Sequence, residues 1–232
     1  KVTGLTAYKE YRFQIAESAE GLDEASPQVM GSADGTAYLM GLEPGTTYYV
    51  RFCLVDGSKC SLWSDVKSET TTEVINTIEV TSGADSGAGT LRQAMTDATN
   101  GTKIVLNVSE ITLNSVINNS KYVFVISGLD HNTTIRTGAN NNNLLIGAHL
   151  NFKDVLFVGN SANNEGINGC ILTHCKVELL TTRVSMNGTM LFDALVNNCT
   201  GVNGSAGYHC RYYNCVISNN TSSDNGAIEA GQ

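Results

Sequence analysis

Residues 150 to 217 repeat every 20 residues, and this period limits the chain to very few folds. Set out as rungs, the sequence restarts at Leu150, Cys170, Met190 and Cys210. The aligned rungs give three apolar columns: Leu150, Cys170, Met190, Cys210; Phe152, Leu172, Phe192, Tyr212; and Val155, Cys175, Leu195, Cys215. A unit this short cannot bury its own apolar face, so successive units must stack into a solenoid with the columns inside. On this alignment, Leu195→Asp places a charge between Cys175 and Cys215 and costs on the order of several kcal/mol.

The segment before the repeats has a different grammar. Tyr11, Phe13 and Ile15 alternate, as do Tyr48, Val50, Phe52 and Leu54. Leu62 and Val66 continue the inward pattern, with Trp63 turned outward. Alternation at period two, broken by turn-rich stretches at 21–35 and 56–59, predicts antiparallel strands of a half-buried sandwich. The boundary is expected after residue 73, giving domains 1–73 and 74–232. Beyond it, Leu91, Ala94, Met95 and Ala98 have helical spacing with Asn100-Gly101 as a stop. A short amphipathic helix there would cover the open end of the solenoid. KIVLNV from Lys103 and YVFVIS from Tyr122 read as strands of irregular rungs leading into the repeat.

Two resemblances follow from these residues. Gly41 to Thr71 resembles the second half of a fibronectin type III domain: Leu42 to Thr46 match its turn between strands E and F, Tyr48 its tyrosine corner, and Ser61 to Ser64 the approach to its last strand. Too few residues precede Tyr11 for its first strands, which implies a module truncated at its amino end or completed by another segment. Residues 83–107 resemble the amino-terminal cap of bacterial right-handed parallel β-helix surface proteins. The rungs HLNFKDVLFVGNSANN and CVISNNTSSDNGAI are similar to those of polymorphic outer-membrane proteins. There Phe157 to Asn160 fit the phenylalanine-x-x-asparagine motif, and Asp224 to Ile228 lack one glycine of the other. The expected fold is therefore all-β: a partial fibronectin type III sandwich, then a right-handed parallel β-helix with a short capping helix.

Charge and cysteine usage narrow the functional classes. The formal net charge is -8 with 16% charged residues, and no basic block exists to track phosphates, which argues against nucleic acid as a partner. No run of about 18 apolar residues is present for a membrane-spanning helix. Cys53 and Cys60 flank the turn signal Asp56-Gly57-Ser58-Lys59, so they either pair across a hairpin as a disulfide or lie at unrelated heights. Cys170, Cys175, Cys210 and Cys215 lack a zinc spacing and share columns with Leu, Val and Met, which reads as core filling. Cys199 lies outside those columns as a free thiol. Lys1 is not an initiator methionine, and the chain reads as part of a longer one.

The candidate sites lie on the outer surface of the repeats. Asn is dense after residue 107 and suits tight turns between rungs. The competing reading is glycosylation at Asn107, Asn132, Asn187 and Asn203, each in an acceptor pattern. Lys153, Asp154, His174, Asp193, Arg211 and Tyr213 fall outside the core columns and are expected to share one outward face. Asp154 and Asp193 are expected in adjacent columns two rungs apart, roughly 9–10 Å at the strand spacing. Inverting glycosidases hold their carboxylates about 6.5–9.5 Å apart, so this pair is the catalytic candidate, against the plainer reading of a solvated face. Neither Asp154 with Lys153 nor Asp193 with Arg211 supplies the oxygen cage that calcium needs, and no other cofactor is called for, with calcium left open. His149 and His209 occupy the same offset, which reads as a shared turn position. Tyr208 and Tyr213, with Trp63, are aromatics able to stack on sugar rings.

These features point to part of an exported bacterial protein, extracellular or on the cell surface, in association with outer-membrane components. Its expected role is an elongated adhesin or stalk that binds glycan or a surface protein, with Lys153, His174, Arg211, Tyr208 and Tyr213 as the ligand surface. The alternative is a polysaccharide-degrading hydrolase or lyase on the same scaffold.

Overall fold

A computed structural model describes the chain apart from residues 26, 33, 130–132, 139–144, 147–149, 160–165, 183–185, 202–204, 225, 227 and 230–232. It is all-β with one α-helix, and divides into a compact unit of Lys1–Glu73 and another of Val74–Gln232.

In the first unit, strand Lys9–Ala16 pairs antiparallel with Gln28–Ser32 on one side and Thr47–Asp56 on the other. Lys67–Thr70 adds to Thr47–Asp56, and a two-stranded ladder joins Val2–Thr3 to Thr36–Ala37. The alternation of Tyr11 and Phe13 carries both into a core with Ala37, against which Ile15, Val50 and Phe52 pack. Tyr11, Phe13 and Phe52 meet there with ring centroids 5.7–6.3 Å apart. The inward pattern stops short of the positions expected for Leu54, Leu62 and Val66, all three of which are exposed. Residues 61–66 are not a strand. They are tied to Thr47–Asp56 by the Ser61 and Ser64 hydroxyls, which accept from Leu54 N–H (3.0 Å) and Phe52 N–H (3.1 Å) and so free their side chains from any pleat. Cys53 and Cys60 are joined by a disulfide across this hairpin.

The second unit is a right-handed parallel β-solenoid. Its helix, Leu91–Asp97, starts at Thr90, whose hydroxyl accepts from Gln93 N–H and supplies one of the partners that helix starts lack. Leu91, Ala94 and Met95 are buried in the solenoid core, as the helical spacing predicts. Arg92 anchors the helix by donating to Asp85 and to the carbonyls of Ser115 and Val116, while Lys121 Nζ donates to the carbonyls of Met95 and Thr96.

The rungs wrap around four sheets in which all pairing is parallel. One sheet stacks Asn76–Val80, Thr102–Leu106, Val123–Ser127, Leu150–Lys153, Ile171–Thr173, Met190–Phe192 and Arg211–Tyr213. A second stacks Glu110–Leu113, Thr133–Thr137, Val155–Val158, Lys176–Glu178, Leu195–Asn197 and Val216–Ser218, and two narrower sheets complete the circuit. From Ile171 onward, each three-residue strand of these two sheets is followed by a two-residue corner. In the rung that begins at Cys170, inward residues therefore fall at Cys170, Leu172, Cys175, Val177 and Leu180, all buried.

The strand register revises the expected columns. Phe152 pairs with Leu172, Leu172 with Leu191, and Leu191 with Tyr212, which are steps of 20, 19 and 21 residues. A uniform step of 20 therefore misplaces the third rung by one position, and in a strand one position changes the face. Leu191, not Phe192, fills the core column. Thr189, not Met190, lies between Cys170 and Cys210, and Ala194, not Leu195, lies between Cys175 and Cys215. Thr189 is tolerated inside because its hydroxyl donates to Ile167 O at 3.0 Å. The side chains of Cys170, Cys175, Cys199 and Cys210 are buried as core filler, with Cys215 half-buried. Cys199 occupies an inward column of its own, above Leu180.

The change of step arises in a single connection. From Ile171 onward two residues separate consecutive strands at every other corner, but three lie between Thr181–Thr182 and Met186–Asn187 and five between Thr200–Gly201 and Gly207–Tyr208. Five also lie between Thr221–Ser222 and Ile228–Glu229.

Candidate functional site

The corner that follows the widest sheet holds the most unusual chemistry. Its residues are Asp154, His174, Asp193 and Asn214, with φ of 57°, 51°, 50° and 52°. A left-handed backbone costs most L-residues roughly 1–2 kcal/mol, least for Asn and Asp. This conformation turns the chain through the corner, so that the next residue, Val155, Cys175, Ala194 or Cys215, points straight into the core. The corner side chain is left outside. The neighbouring corner is built alike from Leu179, Asn198 and Asn219, and a third from Gly169, Gly188 and His209. The expectation that Asn serves the turns holds for Asn198, Asn214 and Asn219, while Asn132, Asn140 to Asn143, Asn203, His131 and His149 lie outside the described residues.

Stacking brings the first corner's side chains into one axial ladder. The amides of Asp154, His174 and Asp193 donate to Thr173 O, Phe192 O and Tyr213 O at 3.2, 2.9 and 2.9 Å. On the outside, His174 Nδ1 is 3.7 Å from Asp154 Oδ1, and its Nε2 is 3.7 Å from Asp193 Oδ2. Asn214 Nδ2 donates to Asp193 Oδ1 at 2.6 Å. Asp154 and Asp193 thus share one column rather than lying in adjacent ones, because the 19-residue step moves Asp193 back by one position. They remain two rungs apart, but the imidazole fills the gap in which a glycosidic bond and its attacking water would have to lie. Among the described residues, no group of three His, Cys, Asp or Glu is placed to hold a metal ion.

The remaining expected surface residues divide between faces. Lys153, Thr173, Phe192 and Tyr213 form one outward column on the widest sheet, immediately before the corner. Phe192 and Tyr213 stack at 4.7 Å with planes 6° apart, the spacing of the rungs themselves. Burial pushes the Tyr213 hydroxyl's pKa up, against the opposing pull of Arg211, which hydrogen-bonds it. Arg211 belongs to the next outward column, above Met190. Tyr208 stands apart on the sheet of Asn168 and Asn187, its ring stacked on His209 at 4.1 Å. In the first unit, Trp63 carries the Arg51 guanidinium 5.0 Å from its ring centre. Arg51 is itself held by Gln14 and Asp23, so a fixed cation occupies one face of that aromatic.

The interior thiols are chemically quiet. Burial pushes Cys170 and Cys175 up to about 12, so neither is a thiolate at neutral pH.

The ladder left a trace in the sequence. The tripeptides Lys153-Asp154-Val155, Thr173-His174-Cys175, Phe192-Asp193-Ala194 and Tyr213-Asn214-Cys215 each place a polar turn former directly before an inward residue. Aligning the rungs on that junction, rather than on a fixed count, puts the four polar residues in register. Compared with known proteins, the chain matches no family model, no curated protein and no solved structure.

Proposed function

We propose that the chain is a binding or structural segment of an exported bacterial cell-surface protein: a fibronectin type III-like module followed by an adhesin-type β-helix that contacts glycan or protein. The observation that carries this reading is the solenoid wall. Outward columns repeat at the strand spacing, with the Asp154–His174–Asp193–Asn214 ladder and the Phe192–Tyr213 stack side by side. That is a long ribbed surface suited to an extended partner. The Cys53–Cys60 disulfide supports an oxidising, extracellular setting. The fibronectin type III assignment is supported by Tyr48, whose hydroxyl accepts from Glu43 N–H at 3.0 Å, the arrangement of a tyrosine corner.

The competing reading, a polysaccharide hydrolase or lyase, loses its best pair, because both carboxylates close onto His174. The test is a broad glycan array run with the purified chain, alongside an assay of the same polysaccharides for new reducing or unsaturated ends. Binding without cleavage is the expected outcome, and cleavage would replace this reading with the enzymatic one.

A further inference from the structure

We infer that Asp154, His174 and Asp193 form a proton-operated clasp that tightens three successive rungs of the solenoid as pH falls through the histidine range. The inference does not depend on what the surface binds. It stands on geometry: the two nitrogens of one ring face two different carboxylates, each at 3.7 Å. A neutral imidazole has one N–H, so it can aim a proton at only one aspartate and turns a lone pair toward the other. A second proton makes both nitrogens donors and places one cation between two anions.

The groups around the ring leave it in control of the column. On the rung below, Lys153 precedes Asp154. On the ring's own rung, Cys175 is buried and the adjacent Lys176 is paired with Glu178 at 2.8 Å. On the rung above, Asp193 accepts from the neutral Asn214 amide, with Arg211 and Tyr213 on the following strand. Histidine as a residue type changes charge between about pH 5 and 8, above the ordinary range of carboxylates.

The clasp is read through its own backbone, because the amides of Asp154, His174 and Asp193 bond across to the next rung. Amide hydrogen exchange of the whole chain at about pH 5.5 and about pH 8, corrected for intrinsic rates, compares their protection with that of the helix Leu91–Asp97. The three amides should be about two- to fivefold better protected at the lower pH, the modest size expected of half-exposed ion pairs. His174→Asn should abolish the difference while keeping the corner, since Asn214 adopts the same backbone one rung beyond Asp193. Asp154→Asn with Asp193→Asn, which keeps the ring, should abolish it too. A parent chain without the difference overturns the clasp. So does a difference that survives in either variant, and if His174→Asn does not fold, the aspartate pair decides.

Discussion

Ala194→Asp and Leu195→Asp, two substitutions one residue apart, should differ by several kcal/mol. Ala194 is 4% exposed, turned inward between Cys175 and Cys215, whereas Leu195 is half-buried and faces outward between Lys176 and Val216. An aspartate at 194 escapes a buried charge by taking up a proton. Holding it neutral at pH 7 costs about three pH units at ~1.4 kcal/mol each, or about 4 kcal/mol. Forcing extra atoms into a packed interior adds roughly 1–3 kcal/mol. The total rivals the stability of a typical domain. Leu195→Asp should cost under about 1 kcal/mol, the new carboxylate lying in water beside Lys176. Urea unfolding followed by circular dichroism gives both values. As pH falls toward 4, the Ala194→Asp penalty relative to the parent should shrink by most of the ~4 kcal/mol, because the proton becomes freely available. Equal penalties, or a larger one at Leu195, would refute the register and restore the uniform 20-residue alignment.

Arg92→Ala removes a half-buried cation that donates to Asp85 and to two carbonyls, and should cost about 2 kcal/mol, read as faster amide exchange across Leu91–Asp97. Cys170 and Cys175, pushed up to about 12, hold their protons more tightly folded than unfolded. Their contribution is therefore full below about pH 9 and is lost as pH rises toward 12, at roughly 1.4 kcal/mol per pH unit for each thiol. Chemical denaturation between pH 8 and 10 should show that decline, and substitution of both by alanine should flatten it. Reducing Cys53–Cys60 should destabilise the first unit by about 2.5 kcal/mol, the value for so short a loop, while leaving the solenoid's transition in place.

The sequence made the solenoid legible because its apolar columns are dense, and the cap because Leu91, Ala94 and Met95 keep helical spacing. The third rung was misread for a physical reason: apolar residues occupy both faces there. Leu191 and Phe192 are adjacent, as are Ala194 and Leu195, so hydrophobicity alone does not say which of each pair turns inward. The widest sheet's outer face is itself partly covered, with Phe192 at 6% exposure. At the candidate site the sequence marks Asp154 and Asp193 as a pair, but puts His174 between them only on the general surface. Its role depends on the left-handed corner, which a spacing count does not contain. Leu62 and Val66 look like strand residues by alternation, yet serine hydroxyls replaced the pleat in that segment.

The unequal connections between the narrow sheets have a consequence for how such a chain changes over time. From Ile171 onward three corners keep one length, since one residue gained or lost there would exchange core and solvent for every side chain downstream until corrected. The fourth absorbs a length difference of two residues between successive rungs with the columns still aligned. In these rungs length differences are thus funnelled to one edge, the connection that leads into Met186–Asn187, Gly207–Tyr208 and Ile228–Glu229. Along that edge the rungs from Ile171 onward can differ in length one by one, while their other three corners keep to one length.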